Sequence, residues 1–169
     1  MASGPPDRAD RRSCFPCRFG GMSLDPSFVG RTYPPTAPYQ VGREKIREFA
    51  TAIGATDPAH HDPEAARSLG HADVVAPPTF PVLVTMAASR QIVEDPALGV
   101  DYSRVVHGDQ RFAYTRPVVA GDELVCVSTI EEVTTRGGHG FLTTRTDVST
   151  VDGEPVVAVW SKIVVRGEA

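Results

Sequence analysis

The stretch Pro77-Pro-Thr-Phe-Pro-Val-Leu-Val-Thr-Met-Ala-Ala-Ser-Arg-Gln-Ile-Val-Glu94 constrains the fold more than any other part of the chain. It predicts one helix with Pro81 in its opening turn, where a missing N–H costs little. Phe80, Val82, Leu83, Val84, Met86, Ala87 and Ala88 leave its first two turns almost without a polar face. A helix that is apolar all round is expected to be buried. It is too short and too interrupted to span a bilayer. Polar residues gather at its far end, and Asp95-Pro96 stops it. From there to residue 166 the pattern is almost entirely that of β-strands. One apolar helix followed by a long run of strands predicts an α+β fold in which an antiparallel sheet wraps the helix.

The rest of the chain supports one domain. Residues 1–21 are rich in Gly, Pro, Ser and Arg without periodicity, and are expected to be a disordered tail or a mis-assigned start. Met22 is the expected beginning of the ordered chain, giving a single domain over 22–169. Within the tail, Cys14-Phe-Pro-Cys17 has neither a second CxxC nor a His pair to make a metal site. An extended, Pro-rich entry covers 23–41, with a short strand expected at its end around Tyr39-Gln-Val41. A first helix is predicted from Arg43 to Ile53, because Ile46, Phe49, Ala50 and Ile53 form one apolar stripe, with Gly54 as its stop. Asp62-Pro63 opens a short helix, Glu64 to Leu69. Four strands are predicted at Arg104–Arg116, Glu123–Thr134, Phe141–Val151 and Pro155–Val165. They are separated by turns at Ala120-Gly-Asp122, Arg136-Gly-Gly138 and Asp152-Gly153.

Composition excludes several classes. The formal net charge of −4 argues against a nucleic-acid partner, which needs a basic footprint. Three cysteines cannot frame a disulfide scaffold, and no apolar signal segment opens the chain, so a reducing cytoplasm is the expected setting. His61, His71 and His107 make no metal spacing with a neighbouring Cys or His, and no cofactor is implied. His139, between two glycines, reads as an exposed loop residue.

The order helix, loop, short helix, buried helix, antiparallel meander is that of a hot-dog fold. The segment Arg111-Phe-Ala-Tyr-Thr-Arg-Pro-Val-Val-Ala-Gly-Asp-Glu-Leu124 resembles the strand-turn-strand signature of the MaoC-like hydratases and dehydratases. His107-Gly-Asp-Gln110 ahead of it is similar to the N-terminal-type branch of that family. The resemblance runs from about Met22 to Gly167. It implies chemistry in the loop after the first helix, where the family carries Gly-Asp-x-Asn-Pro-x-His. There the Asp and His serve as general acid and base on a thioester-linked substrate. It also implies a backbone N–H at the mouth of the buried helix to bind the developing enolate oxygen.

On this chain the motif falls on Gly54-Ala55-Thr56-Asp57-Pro58-Ala59-His60. His60 takes the catalytic histidine's place, but Ala55 stands where the acid is expected and cannot titrate. Asp57 either replaces that acid or simply forms the turn before Pro58. His60 is either catalytic or a loop cap. At the helix mouth Pro77-Pro78 replaces the family's His-Gly and offers no N–H, leaving those of Thr79 and Phe80. This combination resembles the non-catalytic subunit of heterodimeric (3R)-hydroxyacyl-thioester dehydratases of fatty-acid elongation.

Three functions follow as expectations. The first is an acyl-binding partner of a catalytic hot-dog subunit. The second is a self-sufficient homodimer that hydrates enoyl thioesters with His60 and Asp57. The third is an acyl-thioester-binding module without chemistry. Each takes an acyl carrier protein or coenzyme A thioester as ligand, and none works as a monomer, because a lone hot-dog leaves an edge strand open. The expected acyl contacts are Thr79, Phe80, Val82, Leu83 and Met86. Arg90 is a candidate for the carrier's phosphopantetheine or for a pair with Glu94. Arg104, Arg111 and Arg116 are candidates for a basic rim.

Overall fold

The computed structural model describes residues 24–167. The tail, the Cys14/Cys17 pair and the expected start at Met22 lie outside them. Helix α1 spans Arg43–Ala52, α2 Pro63–Ser68 and α3 Pro81–Val93. Five strands follow the order β1-β3-β4-β5-β2 in one antiparallel sheet: β1 Tyr39–Gln40, β2 Val105–Tyr114, β3 Glu123–Arg136, β4 His139–Thr150 and β5 Pro155–Val165. Among the described residues, no helix is long and apolar enough to cross a membrane.

Alternation fixes which face of the sheet meets α3. Leu124, Cys126, Ser128 and Ile130 of β3 are buried, as are Leu142, Thr144, Thr146 and Val148 of β4, and their neighbours face away. The first half of α3 packs through Phe80, Val84 and Ala88 on Leu124, Cys126, Val148 and Val159. Its second half packs through Ile92 on Ile130, Leu142 and Val165. Between the two clusters the buried Ser128 and Thr146 hydroxyls satisfy each other at 2.6 Å.

Three expectations need correction. The long helix begins at Pro81 rather than Pro77, because the Phe80 N–H closes a tight turn onto the Pro77 carbonyl at 2.9 Å. Nor is α3 buried all round. Phe80, Pro81, Val84, Thr85, Ala88 and Ile92 are covered, whereas Val82 is 39% and Met86 57% exposed. One sheet covers one side of a helix, and among the described residues no second layer lies over the other. The β3–β4 hairpin is tighter than expected. Gly137 and Gly138, at φ 59° and 78°, make a two-residue turn in the left-handed region, and His139 is the first residue of β4.

The two edges of the sheet differ. Residues 30–41 run beside β3 and cover its outer edge. The Gly30 N–H donates to the Ile130 carbonyl at 2.8 Å, Tyr33 to Ser128 at 2.8 Å and Thr36 to Cys126 at 3.0 Å, and β1 completes the row. Among the described residues β2 pairs with β5 on one side only, with a bulge at Gly108.

Two ion-pair clamps hold the connections. Arg116 grips Asp122 with both terminal nitrogens at 2.9 and 3.0 Å, and Asp122 also accepts the Val119 N–H. The Arg-Pro-Val-Val-Ala-Gly-Asp signature is therefore a clamped turn. Arg43 makes a two-pronged contact with Asp73, tying α1 to the connector before α3 and holding the Asp73 carboxyl down at about 2. A lowered carboxylate contributes stability that is complete above the usual pKa and is lost as pH falls through the folded one. Stability should thus decline more steeply in the native protein than in Asp73→Asn between about pH 4 and pH 2. Denaturant melts across that window check it, and parallel curves would show that the clasp is energetically silent.

Candidate functional site

The loop after α1 is built backbone first. Gly54 takes φ 70°, and the Ala55 N–H returns to the Ala50 carbonyl at 2.8 Å, which closes the helix. The Asp57 carboxylate accepts the Ala59 N–H at 2.9 Å and caps a single 3₁₀ turn, Pro58–His60. This is what an Asp before Pro does in a turn, and it engages the acid that was the candidate substitute for the one missing at Ala55. His60 Nδ1 lies 2.8 Å from the Val75 carbonyl. A carbonyl only accepts, so Nδ1 carries a proton here, and Nε2 is the ring nitrogen turned to the loop's other side. His61 Nε2 donates to the Ala55 carbonyl at 2.8 Å, and Arg47 Nε to the His61 carbonyl at 2.7 Å. Both histidines thereby brace the loop.

The same bonds bind the loop to the entrance of α3. The Val75 N–H donates to the Ala59 carbonyl at 3.0 Å and that of Ala76 to Val118 at 2.8 Å. Two residues on, Pro77-Pro78-Thr79-Phe80-Pro81 forms the mouth of the helix. Pro78 and Pro81 have no N–H, and Phe80 gives its own to Pro77. Of the two N–H groups the sequence left for an oxyanion, only that of Thr79 has no acceptor among the described residues. Tyr114 Oη donates to the Pro78 carbonyl at 2.8 Å, pinning the mouth to β2. Desolvation pushes the Tyr114 phenol above its usual range, so it stays a neutral donor.

The expected acyl contacts separate into two groups. Thr79, Val82 and Met86 are exposed, away from the packed face of α3, whereas Leu83 is half-buried and packs against the core. Phe80 is fully buried, edge-on to Phe49 at 5.5 Å, and belongs to the core instead. Met86 opens a groove of about 450 Å³ that continues over Ser89, Arg90, Val93, Glu94 and Tyr102. Ser89, Val93 and Tyr102 are not among the contacts expected from the sequence, and Glu94 is expected only as a partner of Arg90. The signal for the helical ones was present, since 82, 86, 89 and 93 share one face of a helix. Arg90 lies 3.7 Å from Glu94, the pair expected as one of its two alternatives.

Of the proposed basic rim, Arg111 stacks on Trp160 at 3.9 Å from the ring centre, and Arg116 is held by Asp122 and Glu154. His107 bonds Gln110 at 2.8 Å on β2, and His139 accepts the Gly167 N–H at 3.0 Å. Among the described residues no three His, Cys, Asp or Glu side chains are grouped to hold a metal ion.

Comparison with known proteins places this arrangement. The model of a FAS1-like dehydratase domain region matches residues 27–159. A UPF0336 protein of Streptomyces coelicolor is 59% identical over 145 residues, covering 86% of this chain and 97% of its own. The HadBC (3R-hydroxyacyl-ACP dehydratase) complex of Mycobacterium tuberculosis contains a chain with TM-score 0.73 and 33% identity, over 81% of this chain and 96% of that one. A MaoC-like dehydratase aligns with TM-score 0.76 and 34% identity, over 83% of this chain and 42% of its own.

Proposed function

The chain belongs to the FAS1-like dehydratase family and has its hot-dog fold, and on that premise we propose that it is the acyl-holding, non-catalytic subunit of a heterodimeric (3R)-hydroxyacyl-thioester dehydratase of fatty-acid elongation. The observation that carries this reading is the loop at 54–60. It offers an imidazole at His60 but no carboxylate in the acid's place, because Ala55 cannot titrate and Asp57, three residues before His60, spends Oδ1 on the Ala59 N–H as a turn cap. Dehydration of a 3-hydroxyacyl thioester removes a proton from C2 and delivers one to the departing C3 hydroxyl. One unaided imidazole does both poorly, and the partner hot-dog chain would bring the Asp–His pair. The open β2 edge, the uncovered stripe of α3 and the likeness to a chain of the HadBC complex all support a hot-dog partner. In this assignment Val82, Leu83 and Met86 line the path of the acyl chain, delivered on an acyl carrier protein or coenzyme A. The setting is the cytoplasm, in keeping with the free buried thiol of Cys126.

His60 tests the division of labour. In the complex with a catalytic hot-dog subunit, His60→Ala should leave turnover within a few-fold of native, because its work is to brace the loop against Val75. Loss of about 10²-fold or more, the effect of removing a general base, would instead make His60 catalytic.

A further inference from the structure

The open stripe of α3 changes chemistry partway along. Nearest the mouth it presents Val82 and Met86, both apolar and both uncovered. At Met86 it enters the groove of about 450 Å³, and the next position on the same face is Ser89. Arg90 and Glu94 flank that turn, 3.7 Å apart, with their side chains 73% and 69% exposed. Apolar surface returns only beyond them, at Val93 and the exposed ring of Tyr102. A hydrocarbon chain that follows the stripe from the mouth therefore meets two apolar side chains, then a hydroxyl and a charged pair. Laying methylenes over that pair strips water from two charges, which opposes the gain from burying the chain.

We propose that Ser89 and the Arg90–Glu94 pair end the apolar path, so that this chain selects medium-length acyl groups and gains nothing from longer ones. The inference names the acyl length for the acyl-holding role and rests on that assignment. The position of the stop follows from the helix. Ser89 lies roughly 12 Å along α3 from Pro81, at about 1.5 Å per residue. An extended chain advances about 1.2 Å per bond, as a polypeptide does with its three bonds in about 3.6 Å. The path therefore takes roughly ten carbons from the mouth before the polar turn begins. At 3.7 Å the Arg90–Glu94 contact is longer than a hydrogen bond, and both side chains stand in solvent. The stop is thus a loss of further gain and not a wall. Longer acyl groups still bind, with their ends left in water.

Saturated acyl-coenzyme A thioesters, from butyryl to stearoyl, decide it when titrated calorimetrically into the complex with a catalytic hot-dog subunit. They bind without reacting, so the profile does not depend on turnover. In the native complex Kd should fall roughly two- to fourfold with each added methylene, up to roughly ten carbons, and then level off. The paired change Arg90→Leu with Glu94→Leu leaves neither charge unanswered. It should carry the fall on to roughly fifteen carbons, near Val93 at the end of α3. Met86→Gln, close in size but polar, should halt it at roughly six. Because only this chain is altered, a moving break belongs to its own path and not to the partner's. A native profile without a break, no binding at any length, or a break that stays in place in both variants overturns the proposal. Turnover of an enoyl thioester by the same complexes reads the subunit assignment separately. A break that moves in a complex without turnover would sink that assignment alone, and turnover without a break would sink the length limit alone.

Discussion

Phe80→Ala is expected to lower the unfolding free energy by about 3–5 kcal/mol, the cost of emptying a filled aromatic site in a core. Phe80 has no exposed surface and meets Phe49 edge-on, with the ring planes at 89°. It stands at the start of α3, where the helix, α1 and the sheet converge with Ile46, Val84 and Leu124. Deleting the ring leaves a hole that three elements border, and none can move in without breaking its own hydrogen bonds. Met86→Ala makes the contrast. It removes a side chain that is 57% exposed, so the change in stability should stay below about 1 kcal/mol. Denaturant midpoints of the two variants separate core from groove on a single helix. A near-neutral Phe80→Ala would mean that its ring faces an open slot.

That contrast also marks what hydropathy could convey. The run from Phe80 to Ala88 announced an apolar helix, and the meander after it announced the sheet, because periods of 3.6 and 2 are written directly in the spacing of the residues. An apolar side chain looks the same whether it waits for a core or for something outside the chain. Phe80 and Met86 were therefore indistinguishable until the sheet was seen to cover one side of α3. The loop at 54–60 was legible for a different reason. Its turn chemistry is local, so the capping by Asp57 could be weighed as an alternative from Asp-Pro alone. The fate of the Phe80 N–H could not, since it depends on how tightly the chain turns at Pro77. Long-range pairs were equally hidden. Arg43 and Asp73 are thirty residues apart, and Arg116 read as a rim charge until Asp122 and Glu154 were seen to hold it. The closed edge was the least visible feature. Residues 30–41 carry almost no strand pattern, yet their backbone covers β3 and leaves β2 as the open side.

The second large effect concerns turnover. A loop with an imidazole and Ala55 in the acid's place lacks half of a general acid–base pair. A missing acid or base costs about 10²–10⁴-fold in rate. The mouth of α3 adds to the deficit, because Pro78 and Pro81 remove N–H groups that could have faced an enolate oxygen and Phe80 gives up its own. Under the proposed assignment the deficit belongs to the isolated chain and is expected to disappear when a partner carries the missing groups.

The most direct measurement follows the absorbance of an enoyl thioester with the purified chain alone, and then with a co-expressed hot-dog subunit that carries the Asp–His motif. Silence alone and turnover together is the predicted result. Turnover by the chain alone would contradict the account and send attention back to His60 and Asp57 as a working pair.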